Sequence, residues 1–171
     1  MRHGDYITMM KQMQEAHIDL KGYARIITGA DPIQSAMDIE SFLVAKGKKR
    51  QSQQLPLLMV ETTETGYLDN GADNHLRDSA AGFFILDKAT TDDEKDEAIS
   101  IAEVIAEDCI GYIKKHLLDN RAKYFMSIQD LRIEKIGNLA SQYYGVYVSF
   151  LFRTNSTTDL KYKPEKFTAN G

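Results

Sequence analysis

The segment from residue 92 to residue 118 limits the possible folds of this chain more than any other. Its acidic run 92–94 and its basic run 114–116 complement the two ends of a helix dipole. Thr91 and Glu94 have the spacing of a capping box, which predicts the helix start. The apolar residues that recur at the helical period are Ala98, Ile101, Ala102, Ile105, Cys109, Tyr112, Ile113 and Leu117. We therefore expect one long amphipathic helix that packs on a sheet.

Shorter patterns on both sides of this helix supply the sheet and two further helices. Helical spacing predicts helices over 5–19 and 32–46, the second starting at the turn 29–32. Apolar and β-branched runs predict strands over 23–28, 57–63, 82–87, 128–136 and 144–152. The last of these alternates most cleanly, with Val146, Val148, Phe150 and Phe152 on one side. The pattern predicts an α+β fold: a mixed, mainly antiparallel sheet packed against one long helix, with additional N-terminal helices.

Polar segments set the predicted loops and the domain limits. Residues 47–54 contain no apolar residue, and we expect a loop there. The polar stretch 66–81 is predicted to be a long insert between the arms of a hairpin. Residues 1–155 form a single predicted domain, and 156–171 a polar C-terminal tail that we expect to be exposed.

Composition narrows the classes of function. The net charge of -4 argues against binding to a nucleic-acid backbone, and the dense basic run within 46–50 is typical of a solvated loop. The single cysteine, Cys109, excludes an internal disulfide framework and fits a reducing compartment. The sequence has no signal-like segment and no apolar run near the roughly 20 residues of a membrane span. We expect synthesis in a cytoplasm and no membrane contact.

One segment resembles a metal-binding loop. Residues 69–75 read Asp-Asn-Gly-Ala-Asp-Asn-His, and Asp78 follows shortly after. The spacing differs from the EF-hand pattern, and no glutamate stands at the closing position. The same residue types are those that tight turns require. We predict a structural loop and no metal site.

The sequence offers no catalytic group in a recognisable arrangement. His3, His17, His75 and His116 have no zinc-type spacing, and His116 is expected at a helix end. Cys109 falls on the apolar stripe, where a thiol behaves as a small hydrophobic group. The glycines are too scattered for a phosphate-binding loop. We predict no catalytic residue and no cofactor, and expect that the chain is not an enzyme.

The first predicted helix carries an unusual set of methionines. Met9, Met10 and Met13 lie near Tyr6 in the sequence. Neighbouring residues on a helix point in different directions, so one core face cannot cover both Met9 and Met10. We expect part of this apolar surface to contact a neighbouring protein.

The order of these elements resembles the head–tail connector and tail-terminator proteins of tailed bacteriophages. The resemblance rests on the segments 56–61, 82–86 and 144–150, and on the long helix with its acidic start. It covers about residues 20–153 and is one of layout, without an invariant motif. It implies a virion protein whose copies form a ring at the neck or tail end and join or terminate the tail tube.

The resemblance also implies the partners. These are other copies of the chain and neighbouring neck, portal-adaptor or tail-tube proteins, with DNA only as the genome passing through the lumen. The acidic loop with Asp69, Asp73 and Asp78 would then face either the lumen or an adjoining ring. Two alternatives stay open from the sequence. One is a small enzyme or ligand-binding domain with its site around 66–81, and the other is a module that binds one protein through the first helix.

Overall fold

The computed structural model describes residues 2–26, 32–48, 55–62, 64–69, 75–119, 125–126 and 130–155. These residues form three helices and seven strands, connected as α+β. The helices are α1 (His3–Ala16), α2 (Pro32–Lys48) and α3 (Asp92–Asp119). The strands are β1 (Gly22–Ile26), β2 (Leu57–Glu61), β3 (Glu64–Asp69), β4 (His75–Lys88), β5 (Phe125–Met126), β6 (Arg132–Leu139) and β7 (Tyr143–Asn155).

Two long antiparallel strands, β4 and β7, form the centre of the sheet. They pair continuously from Leu76 opposite Asn155 to Lys88 opposite Tyr143. On the free side of β4, β2 and β3 lie end to end, and β1 adds to β2 in parallel. On the free side of β7, β5 and β6 lie end to end. The sheet is mixed and mainly antiparallel, as the sequence predicts.

One face of the sheet, here called the α3 face, carries α3 and α1. Alternate residues of the central strands point toward these helices, because side chains in a strand alternate between its two sides. They meet the buried stripe of α3 and the apolar residues of α1 in one continuous cluster. The sheet contributes Leu58, Val60, Ala81, Phe83, Ile85, Val146, Val148, Phe150 and Phe152. The long helix therefore packs on the sheet as predicted.

The opposite face, here called the α2 face, carries α2 over only part of its length. Ile39 and Leu43 are buried there, four residues apart on one side of α2. They belong to a cluster with Ala24, Ile26, Leu57, Met59, Phe84, Leu86 and Tyr143. The helical spacing of the apolar residues in α2 predicts a buried stripe of Ile33, Ala36, Met37, Phe42 and Leu43. Phe42 is only half-buried and Met37 is exposed, while the side chains of Ile33 and Ala36 lie outside the described residues.

The start of α3 confirms the predicted capping box. The backbone N–H of Glu94 donates to Thr91 Oγ1 at 3.3 Å, and the N–H of Thr91 donates to Glu94 Oε2 at 3.1 Å. The Thr90 hydroxyl donates to the same carboxylate oxygen at 2.6 Å. These bonds lower the pKa of Glu94 to about 2. The predicted stripe is wrong at Ile101, which is 43% exposed, because Ala106 and Ile110 turn toward the sheet instead.

The expectation that Met9 and Met10 cannot both be covered is wrong. Both are buried, together with Tyr6 and Met13. The core that surrounds α1 contains side chains from α3 as well as from the sheet, so two directions of the helix meet apolar partners. The methionines therefore provide no apolar surface for a neighbouring protein.

The predicted long insert over 66–81 is also wrong. Glu64–Asp69 and His75–Lys88 are strands that pair with each other, from Glu64 opposite Ala80 to Asp69 opposite His75. The α2 face carries no helix at this end among the described residues, so the polar side chains of Glu64 and Asp78 lie there without a covering layer. The predicted loop 47–54 begins later, because α2 continues to Lys48, and its remainder lies outside the described residues with the tail 156–171.

Candidate functional site

The polar half of the α2 face is the main candidate site, and we call it the open face. It consists of Glu64, Ala80, Asp78, Arg132, Glu134, Ser149, Leu151 and Arg153, with Glu61 and Tyr147 at its border with α2. Cross-strand partners share a face, and the pairing places Ala80 between Glu64 and Leu151, and Ser149 beside Arg132. Glu64, Ala80, Arg132 and Glu134 are exposed, and no helix covers them within the described ranges.

A carboxylate and a phenol form the most buried polar contact of this region. The Tyr147 hydroxyl donates a hydrogen bond to Glu61 Oε2 at 2.7 Å. The Tyr147 ring also packs against Phe84, with 4.6 Å between the ring centroids. A Cβ atom on residue 82 would overlap Tyr147 Oη and lie 2.6 Å from Glu61 Oε2. Gly82 therefore leaves the space that this pair occupies.

The surroundings shift the pKa values of both groups. Burial raises the pKa of Glu61, the hydrogen bond from Tyr147 lowers it, and the charge of Glu64 raises it again. Burial raises the pKa of Tyr147 most strongly, and its bond to Glu61 and the charge of Glu134 add to that increase. The pair can hold or release a proton on Glu61, while the phenol stays protonated at neutral pH.

The other side of Gly82 is held by α1. The Tyr6 hydroxyl donates to the Gly82 carbonyl oxygen at 2.8 Å. Tyr6 lies edge-on to Phe150 and Phe152, and burial raises its pKa well above 10.0. One glycine thus connects the α1 layer to the border of the open face.

An ion pair stiffens the far end of the open face. Arg153 Nε and Nη2 donate to the two carboxylate oxygens of Asp78 at 2.6 and 2.7 Å. The two residues are direct cross-strand partners on β4 and β7. This two-pronged geometry fixes both side chains better than a single contact would.

The structure describes only the ends of the segment that resembles a metal-binding loop. Asp69 and His75 are opposite each other at the ends of β3 and β4, and Asp78 is bound to Arg153. Residues 70–74, including Asp73, lie outside the described residues. Across the ranges that are described, no group of three or more His, Cys, Asp or Glu side chains could hold a metal ion.

The other sequence candidates lie in the structure apart from the open face. Cys109 is buried on α3, as predicted, and burial raises the pKa of its thiol to about 12. His116 lies in the last turn of α3. His17 Nε2 lies 3.6 Å from Asp108 Oδ2, which joins the end of α1 to α3.

Sequence reasoning missed Glu61, Tyr147 and the Asp78–Arg153 pair. The sequence pattern places Glu61 inside the strand 57–63 and Tyr147 in the strand 144–152, with no special role for either. One signal was available: a glycine inside an apolar strand, Gly82, indicates a close approach of other atoms. Nothing in the sequence indicates which atoms those are, because the partners are 21 and 65 positions away (82 − 61 and 147 − 82).

No protein-family model matches the chain, and no curated protein is significantly similar to it. Among the helices of the described residues, none has the length and apolar character needed to cross a membrane.

Proposed function

We propose that this chain is a structural protein of a tailed-phage virion. In this proposal its copies form a ring at the neck or tail end, on a portal-adaptor or tail-tube protein, and join or terminate the tail tube. The layout that resembles such proteins supports the proposal, since it consists of a mixed sheet with one long helix packed on it. The open face supports it independently.

The open face is the observation on which the proposal depends. A sheet face that lacks a helix usually exposes loosely held polar side chains, but here several are held by one another. Asp78 and Arg153 form a two-pronged ion pair, and Tyr147 is fixed by Glu61 and Phe84. Side chains that are already ordered lose less conformational entropy when a partner binds. This surface is therefore suited to contact another protein.

The edge next to the open face adds apolar anchors. Tyr67 and Leu68 lie near the end of β3, and each is 50% exposed. Leu68 lies on the same side of the sheet as the open face, because its partner Leu76 is two residues before Asp78 on β4. Aromatic and aliphatic groups beside a polar surface are typical of protein contact regions.

The charges of the open face argue against DNA as its bound partner. The face contains the carboxylates of Glu61, Glu64, Asp78 and Glu134 against the guanidinium groups of Arg132 and Arg153. An acidic excess repels phosphates, so the partner of this face is expected to be a protein and not DNA. Of the acidic residues Asp69, Asp73 and Asp78 that the resemblance places at the lumen or at an adjoining ring, Asp78 lies on this face, and Asp73 lies outside the described residues.

Co-assembly with proteins of the same genome tests the proposal. The full chain would be co-expressed with the portal, adaptor and tail-tube proteins encoded nearby, and complexes would be isolated and imaged by electron microscopy. We expect a ring of this chain on one of them. Ala80→Arg, in the middle of the exposed open face, should abolish co-assembly without unfolding the chain.

The matched control is Glu107→Arg on the exposed side of α3, which should assemble like the unaltered protein. Absence of the chain from purified particles would overturn the proposal. Equal incorporation of Ala80→Arg and Glu107→Arg would show that the open face is not the contact surface.

A further inference from the structure

The outer edge of β6 is the remaining surface with a specific pattern. Among the described residues, β6 pairs with β7 only, and its first four residues are exposed. A strand at a sheet edge presents unpaired N–H and C=O groups that can pair with another strand. Natural edges are protected by charges, and β6 carries Arg132, Glu134 and Lys135.

The charges of β6 are self-complementary in one register. We propose that two copies of this chain pair antiparallel through β6, with Ile133 of each copy on the two-fold axis. Arg132 of each copy then lies opposite Glu134 of the other, which gives two ion pairs on the α2 side of the joined sheet. Directly opposite residues of unlike charge stabilise antiparallel strands.

The neighbouring registers are disfavoured by the same side chains. Centring the pair on Glu134 places the two Glu134 carboxylates opposite each other. Centring it on Arg132 places two guanidinium groups opposite each other. Like charges directly opposite destabilise a strand pair, so the charge pattern selects the register centred on Ile133.

The two sides of the sheet match in this arrangement. Arg132 and Glu134 share the side of their β7 partners, Ser149 and Tyr147, in both copies. The opposite side brings Ile133, which is 37% exposed, against its own copy. Lys135 stays bound to Glu103 of α3 at 3.4 Å and presents its aliphatic stem. The joined edge thus buries Ile133, and no charged side chain of β6 lies opposite one of the same sign.

This inference does not rest on the proposed virion role. A two-fold contact uses the same surface on both copies and closes at two, whereas a ring needs contacts between unlike surfaces. The free protein is therefore expected as a dimer, and the ring as the form that it takes on another virion component.

Charge reversal tests the pairing. Sedimentation of the full chain at several concentrations should give a mass of two chains. Arg132→Glu and Glu134→Arg should each raise the dimer dissociation constant at least about tenfold, because each turns both ion pairs into repulsions. The double variant, with both residues exchanged, should restore the dimer.

A mixture provides the sharpest control. Arg132→Glu has two acidic residues at these positions and Glu134→Arg has two basic ones, so an equimolar mixture should form heterodimers although neither variant pairs with itself. Thermal melting of each variant confirms that the fold is retained. A monomeric full-length chain, a mass above two chains, or a mixture that stays monomeric would overturn the inference. A ring-sized mass would do so while leaving the virion role intact.

Discussion

The two faces of the central sheet are made by alternate residues of the same strands, yet they have different roles. The α3 face is apolar from Ala81 to Ile85 of β4 and from Val146 to Phe152 of β7, and two helices cover it there. The α2 face is apolar for about half that length and then becomes the polar open face. Neighbouring residues such as Ala80 and Ala81 belong to the two faces, and only Ala81 is buried. The fold depends on one face and leaves part of the other for contacts.

The largest predicted effect concerns the β4–β7 ladder, which both faces share. A Cβ atom at Gly145 would overlap the carbonyl oxygen of Ile85 on β4. Because that atom is backbone, the strands must separate, and Gly145→Ala should lower the free energy of unfolding by about 4 kcal/mol. Urea denaturation measures the change.

The control for this substitution is Gly111→Ala on α3, where a Cβ atom meets nothing within 4 Å. Alanine favours a helix over glycine, so this variant should be more stable by about 0.5–1 kcal/mol. Similar behaviour of the two variants would mean that the close approach of β4 and β7 is not a constraint.

The next prediction compares apolar side chains on the two faces. Phe83 is buried on the α3 face, and Phe83→Ala should cost about 3 kcal/mol of stability through the cavity that it leaves. Leu151 is half-buried on the open face, and Leu151→Ala should cost less than about 1 kcal/mol, since its surroundings are partly solvent. Equal losses in denaturant titrations would contradict the distinction between the faces.

A smaller effect is expected where α1 meets the border of the open face. Tyr6→Phe removes the hydrogen bond to the Gly82 carbonyl but keeps the aromatic packing against Phe150 and Phe152. The loss should be about 1 kcal/mol, the net value of one buried hydrogen bond. A cost near zero in the same titration would show that this bond does not contribute to holding α1.

The smallest effects are pH-dependent and have opposite signs in the two regions. Burial raises the pKa of Glu61, so its contribution to stability is present below the unfolded value of about 4.3 and is lost as the pH rises through the folded pKa. Hydrogen bonds lower the pKa of Glu94 to about 2, so its contribution is present above about 4.3 and is lost as the pH falls toward 2.

Glutamine substitutions separate the two effects. Relative to the unaltered chain, Glu61→Gln should gain stability from pH 4 to pH 7, whereas Glu94→Gln should lose stability over the same interval. Unfolding curves at several pH values measure both trends. The account fails at this point if the two variants follow the same trend.

The sequence predicts the architecture well where local patterns are strong. The capping residues of α3 and the alternation of β7 define their elements, because caps and strand periodicity are local properties of the chain. It fails at 66–69 and 75–81, where strands rich in polar side chains resemble a loop in the sequence. It also fails at Met9 and Met10. The sequence does not show that α1 packs against both the sheet and α3, which together cover these two side chains.

The candidate site was less predictable than the fold. The Glu61–Tyr147 and Asp78–Arg153 contacts join residues of different strands, and their pairing depends on the register of the whole sheet. The β6 edge was recognised as a strand, but its position beyond β7 was not. Its charge pattern predicts pairing with another copy only if β6 is an edge strand, which the sequence does not show.

One pair of substitutions tests the difference between the faces most directly. Ala80 and Ala81 are consecutive residues of β4, identical in type and on opposite faces. Ala81→Arg places a charge in the apolar core and should abolish cooperative thermal unfolding or lower its midpoint by well over 10 °C. Ala80→Arg should change stability by no more than about 0.5 kcal/mol, because its side chain extends from the open face into solvent. Comparable losses in the two melting curves would contradict the account, since they would mean that the open face is needed for folding.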